Sequence, residues 1–367
     1  MSDPRAANLA RALVDYSIAV QPGDWVLVSV NLAALPLAEE VSRRILAAGG
    51  KLSLQLESDE LTEILLQEAS EDVLRWLSPS DQFLFEQVNA IIYLGGASNT
   101  CSLSSFAPER VSAYQRERGR LRQIRNRRVM TDGLRWVYTQ FPCQALAQEA
   151  GMGLAAYQDF AYAAVYADQP DPVQRWQEIS RRQQHWVDWL KGKQWMTLRG
   201  PDIDLKFSIA DRTFANGAGE NNLPDGEIFT GPVEDSVNGW VRFTYPAIFN
   251  GRSVEGVELR FEGGEVISAQ ADKDDAFLQM MLNSDAGARR LGEFAIGTNY
   301  AIDRFTRNIL YDEKIGGTIH LALGNGYPET GSQNQSNIHW DMICDLRQES
   351  EISVDGELLY KNGVFQI

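Results

Sequence analysis

Hydrophobic and polar positions change texture about halfway along this chain. In the first half, long apolar-periodic stretches alternate with short apolar runs. Residues 5–20 have amphipathic helical spacing, 25–30 read as a strand, and 34–48 return to helix before Gly49-Gly50, a common C-terminal stop. Residues 52–56 alternate like a strand, 60–77 are helical in period, and 90–94 form a continuous apolar run ending in Gly95-Gly96. A β-α-β-α-β order of this kind predicts a helix-covered, largely parallel sheet. Residues 154–191 read as helix, with Asp171 placed to cap and Pro172 at a first helical position.

From Lys193 onward short strands are separated by Gly, Asn and Asp. Residues 195–198, 241–245 and 257–261 have strand patterning, and Glu262-Gly263-Gly264-Glu265 and Val354-Asp355-Gly356-Glu357 read as hairpin turns. Helices are expected near 273–284 and over 286–294. The expected fold is an α/β N-terminal domain over 1–190, for shielding or dimerisation, followed by an α+β, mostly antiparallel domain over 191–367. A chain of 367 residues with 44% hydrophobic content is large enough for two such cores.

The βα order invites a dinucleotide-binding reading, but no Gly-x-Gly-x-x-Gly or Walker loop follows these strands. A formal net charge of −16 argues against nucleic acid or an anionic membrane as partner. Arg116, Arg118, Arg120, Arg122, Arg125, Arg127 and Arg128 crowd one segment, without the interleaved aromatics of a nucleic-acid surface, and read as a solvated or interface helix face. The start lacks a signal-peptide profile, and no apolar run approaches membrane-spanning length. Three dispersed cysteines suit a reducing, cytoplasmic setting.

Candidate chemistry is concentrated in the second half. Two of only three histidines, His320 and His339, stand nineteen residues apart in strand-like stretches, and the second opens His339-Trp340-Asp341. Residues two apart on a strand share a face, so His339 and Asp341 can address one point. An imidazole and a carboxylate aimed together suit a borderline divalent cation. The third histidine, His185, lies beside an apolar helical stripe with no carboxylate cluster and reads as a surface or packing residue. Glu293 and His320 sit in apolar, glycine-punctuated stretches where an uncompensated polar group is costly to bury. Glu227, Glu293, Glu313 and Asp341 would bring four negative charges, which two divalent ions would balance. Carboxylates shared between ions about 3.5–4 Å apart are usual in co-catalytic hydrolases.

Four segments carry a family resemblance: Pro224-Asp225-Gly226-Glu227, Leu291-Gly292-Glu293, Gly317-Thr318-Ile319-His320-Leu321-Ala322-Leu323-Gly324 and His339-Trp340-Asp341-Met342. Together they resemble the M29 metallopeptidases, the thermophilic aminopeptidase T group. The resemblance implies that Glu227, Glu293, His320, His339 and Asp341 are metal ligands, with Glu293 bridging. It also implies a tyrosine, Tyr327, at the edge of the centre, and an acid, Glu313, before the first histidine, either as ligand or as general base. A cytoplasmic exopeptidase acting on short peptides follows, using two divalent ions (Zn²⁺, Co²⁺ or Mg²⁺) and forming a homodimer. A dinuclear hydrolase of another amide or ester bond, or a catalytically silent metal-binding homologue, is the alternative. Little free positive charge lines these motifs beyond Lys314, three residues before the Gly317 segment, which disfavours a phosphoester substrate.

Overall fold

The computed structural model describes residues 3–249 and 251–367, which divide into two compact units. The first runs to Trp176 and includes Gly219–Pro224; the second comprises Gln177–Ala218 and Asp225–Ile367.

In the first unit five strands lie in the order Lys51–Glu57, Trp25–Asn31, Ala90–Gly95, Arg135–Gln140 and Asn222–Leu223. Every pairing is parallel, as the βα alternation requires. The interior strand Trp25–Asn31 is buried through its middle, and its short apolar run reflects burial on both faces. The segment expected as one helix over 60–77 is broken: Asp59–Glu68 ends at Ala69, whose ψ of 143° is extended, and Glu71–Leu74 follows as a single turn. The 5–20 segment is likewise a helix, Pro4–Arg11, that widens into a π-helical turn over Ala12–Ser17. All seven clustered arginines fall in one 25-residue helix, Pro108–Asp132. Arg125 stacks 3.9 Å over Trp136, and Arg128 donates to the carbonyls of Phe85 and Val88. Arg116, Arg118, Arg120, Arg122 and Arg127 are exposed.

The expected single helix over 154–191 is two, Leu154–Ala164 and Pro172–Leu190. The second starts where Asp171 accepts the Gln174 amide at 3.1 Å, relieving one orphan donor of the first turn.

The second unit holds an eight-stranded sheet and a five-stranded sheet, and every pairing in both is antiparallel. The two glycine-bearing turns close hairpins, with Glu262 opposite Glu265 and Val354 opposite Glu357. A helix, Asp275–Leu282, falls where one was expected. The expected helix over 286–294 is absent. In its place Leu291–Gly297 is a strand in the middle of the five-stranded sheet, buried along its whole length. Burial on both faces gives Leu-Gly-Glu-Phe-Ala-Ile-Gly no alternation, so period alone could not mark it as a strand.

The five-stranded sheet runs His339–Asp345, Thr318–Gly324, Leu291–Gly297, Glu227–Thr230, Ala215–Gly217. One face supplies Ile228, Phe294, Ile296, Ile319, Leu321, Leu323, Trp340, Met342 and Cys344 to the apolar core. Strand alternation then sends the intervening residues to the opposite face. Among the described residues, no helix is long and apolar enough to cross a membrane.

Candidate metal centre

The opposite face of that sheet carries the candidate ligands. His320 is directly across from Ala295, Glu227 from Gly297, His339 from Gly324, and Asp341 from Ala322. Ala322 also pairs with Glu293 on its other side. Each functional side chain therefore has an alanine or glycine as a cross-strand neighbour, which leaves space above the sheet for five long polar groups.

Glu293 reaches this face through a β-bulge. Leu291 pairs with Leu323 and Glu293 with Ala322, so the register shifts at Gly292. Without the extra residue Leu291 and Glu293 would share a face; with it, Leu291 joins the core and Glu293 turns away. Only glycine fits there. A Cβ on residue 292 would lie 2.4 Å from the carbonyl oxygens of Gly324 and Asn325.

The side chains converge. His320 Nε2 is 3.7 Å from Glu227 Oε2, 3.6 Å from Glu293 Oε1 and 4.0 Å from Asp341 Oδ1. His339 Nε2 is 3.2 Å from Glu293 Oε2 and 3.3 Å from Asp341 Oδ1. Glu293 thus offers a different oxygen to each imidazole. Two donor sets, Glu293–His339–Asp341 and Glu313–His320–Asp341, each have their donor atoms within 4.8 Å of one another.

The imidazoles are oriented from behind. His320 Nδ1 is 3.0 Å from the Glu313 carbonyl, and His339 Nδ1 is 2.8 Å from the Asn325 carbonyl. A carbonyl can only accept, so Nδ1 carries a proton and Nε2 is the atom aimed into the cage, where it can bind a cation once it gives up a proton of its own. Glu227 Oε2 and Asp341 Oδ1 are buried without a hydrogen-bond partner, although His339 Nε2 stands 3.3 Å from the latter. Carboxylate oxygens crowded together in a buried space fit a cation. The spacing agrees: ligands about 2.1 Å from a tetrahedral centre stand about 3.4 Å apart.

Proton affinities in the cage follow from its charge. Burial alone would favour a neutral His320, but the Glu293 hydrogen bond and the charge of Glu227 raise it to about 10. His339, similarly buried, is pushed up to about 12 by Asp341 and Glu293. Burial opposes ionisation of Asp341 and Glu293, yet the facing imidazoles hold both carboxyls below their usual range. Glu227 goes the other way: burial raises it to about 8, against the pull of Lys314. Burial also raises Glu313, again opposed by Lys314.

Tyr327 packs at the rim, its ring 5.2 Å from His339 and 5.5 Å from Phe229. Tyr327 is exposed as a residue, but desolvation of its phenol and then the charges of Glu293, Asp341, Glu313 and Glu227 keep that phenol protonated well above the ordinary tyrosine range. His185 is exposed on the Pro172–Leu190 helix.

Two residues take supporting roles that the sequence pattern did not assign to them. Gln183 is fully buried; its Nε2 donates to the carbonyls of Gly217 and Glu227 at 2.9 Å, and its Oε1 accepts from Thr298 at 2.7 Å. Its signal was a lone glutamine on the apolar side of a helix. Lys314, read from the sequence only as a positive charge near the motifs, is fully buried and pairs with Glu313 and Glu227.

Comparisons with known proteins converge on one group. A sequence model described as thermophilic metalloprotease (M29) matches residues 2–365. Aminopeptidase 2 of Geobacillus stearothermophilus is 27% identical over 390 residues, covering 95% of this chain and 92% of that protein. Aminopeptidase T of Thermus thermophilus is 26% identical over 392 residues, covering 97% and 95%. In fold, the chain matches the solved structure of wild-type AmpT from Thermus thermophilus with a TM-score of 0.84, 22% identity and 99% of each chain covered.

Proposed function

We propose that this chain, which belongs to the thermophilic metalloprotease family M29, is a metal-dependent aminopeptidase that removes the first residue of short peptides. The observation that carries the site is the convergence of two imidazole Nε2 atoms on Glu227, Glu293 and Asp341, with two buried carboxylate oxygens lacking hydrogen bonds. Glu227, Glu293, His320, His339 and Asp341 would hold two divalent ions (Zn²⁺, Co²⁺ or Mg²⁺), with Glu293 between them and Tyr327 at the edge. Such ions supply Lewis-acid polarisation of a carbonyl and ionisation of water near neutral pH.

The chain's own groups perform the remaining work. Glu313 takes the proton of the attacking water and returns it to the leaving amine, a role suited to a buried carboxylate with a raised pKa. Tyr327, protonated at working pH, donates to the carbonyl oxygen as it gains charge. The free amino group of a peptide is a cation, and pairing it with a cage carboxylate restricts cleavage to chain ends.

The reading includes a cytoplasmic homodimer. The free thiols of Cys101, Cys143 and Cys344 support the compartment. Exposed Leu54, Leu56, Leu61 and Ile64 give the first unit apolar surface that a second copy would cover.

The test is to strip the protein with a chelator, reload it with each ion, and digest a peptide ladder alongside its N-acetylated counterparts. Stepwise loss of N-terminal residues from free peptides only, with two ions per chain by elemental analysis, is expected. Internal cleavage, or no activity with any divalent ion, overturns the assignment.

A further inference from the structure

Lys314 is the one fully buried lysine among the described residues, and its placement is over-determined. Its amide donates to the Tyr311 carbonyl and its carbonyl accepts from the Asn299 amide, both at 3.1 Å, so the backbone is fixed from two sides. The side chain runs into the cage wall. Nζ pairs with Glu313 Oε1 and stands 3.6 Å from Glu227 Oε1, with the charge of Asp225 also acting on it.

This contact divides both glutamates. Glu227 turns Oε1 toward Lys314, leaving Oε2 without a hydrogen bond and 3.7 Å from His320 Nε2. Glu313 gives Oε1 to the ammonium although it belongs to the donor set with His320 and Asp341. Removing a partner from a buried ion pair leaves the other charge uncompensated, and that charge then seeks another cation. Formal charge agrees: Asp225, Glu227, Glu293, Glu313 and Asp341 make five negative groups, and one ammonium leaves the four that two divalent ions neutralise.

We infer that Lys314 is a positioning residue: its ammonium draws one oxygen from each of Glu227 and Glu313, making Glu227 a single-oxygen ligand and holding Glu313 off the ions as the base. The inference rests on the metal centre and the role of Glu313 proposed above. It distinguishes Lys314 from an ordinary scaffold residue by the sign of its effect on metal. Loss of a supporting residue around a metal site weakens binding by about 10–100-fold. Loss of Lys314 frees Glu313 to ligate, so binding tightens while turnover falls.

The experiment uses full-length protein loaded with Co²⁺ alone, because the visible absorption of this ion weakens as its coordination number rises. For Lys314→Met the expected results are a weaker visible band, about tenfold or greater retention against a competing chelator, and turnover of an aminoacyl anilide reduced about 100-fold. Adding Glu313→Gln to Lys314→Met restores the wild-type band and retention. An unchanged band, or retention weakened as for a scaffold residue, overturns the inference. If Lys314→Met does not fold, the double variant, which removes the buried acid with its partner, decides: a wild-type band supports the inference and an altered one overturns it. Failure of the wild-type Co²⁺ protein to cleave aminoacyl anilides would sink the proposed activity instead, leaving the spectra to judge Lys314.

Discussion

Ala322 stands directly opposite Asp341 in the ladder between Thr318–Gly324 and His339–Asp345, and its methyl group is the floor beneath the donor cage. Its other neighbour across the sheet is Glu293, so one small side chain separates two of the converging carboxylates. Ala322→Leu should fill the space they lean into. We expect loss of bound metal and a fall in kcat/KM of about 100-fold or more, with destabilisation of only about 1–3 kcal/mol. Elemental analysis beside denaturant unfolding checks this; full metal loading in the variant would contradict the placement.

Glu293→Gln tests the shared ligand. Each Glu293 oxygen faces a different imidazole, at 3.6 and 3.2 Å. The amide cannot offer two anionic oxygens, so metal content should drop below two per chain and activity by roughly two orders of magnitude or more. Far-UV circular dichroism should be unchanged. Retained activity at full loading would remove Glu293 from between the ions. His185→Ala, on an exposed helix position, should keep nearly full activity in the same assay.

Gly292→Ala tests the bulge. Its Cβ would meet two carbonyl oxygens at 2.4 Å, so the backbone must move at the residue that aims Glu293. Destabilisation of about 1–3 kcal/mol is expected, with metal affinity reduced as well. Normal stability together with normal metal content would mean that the bulge is not needed to aim Glu293.

Metal uptake should release protons. In the metal-free cage His320 is raised to about 10, His339 to about 12 and Glu227 to about 8, so at pH 7 all three carry protons that an incoming cation must displace. The sign follows: cation and proton compete, affinity falls as pH falls, and binding near pH 7 expels protons into buffer. Calorimetric titration in buffers of different ionisation enthalpy measures the number released. A binding enthalpy independent of buffer would refute this linkage.

Parts of this architecture were legible in the chain. The two-residue spacing of His339 and Asp341 placed both on one strand face, and they do meet Glu293 there. The βα alternation of the first half gave a parallel sheet because each crossover helix is written between its strands. Glu293 was harder. Its strand is buried on both sides and interrupted by Gly292, so neither alternation nor length separates it from a helix, and the bulge that aims its carboxylate depends on backbone contacts remote in sequence. Gln183 and Lys314 were obscured for a related reason. Their partners lie up to 115 and 87 positions away, and nothing local tells a satisfied buried polar group from a solvated one.

One ladder serves two purposes in this protein. The odd-numbered residues Ile319, Leu321 and Leu323 belong to the oily interior, while the even-numbered His320 faces the acids. A slip of a single position along the Thr318–Gly324 strand would exchange those roles, stranding an imidazole in hydrocarbon and facing isoleucine toward the carboxylates. Misregistered molecules therefore lose cohesion and cation capture in the same event, so metal content per chain doubles as a count of correctly threaded sheets.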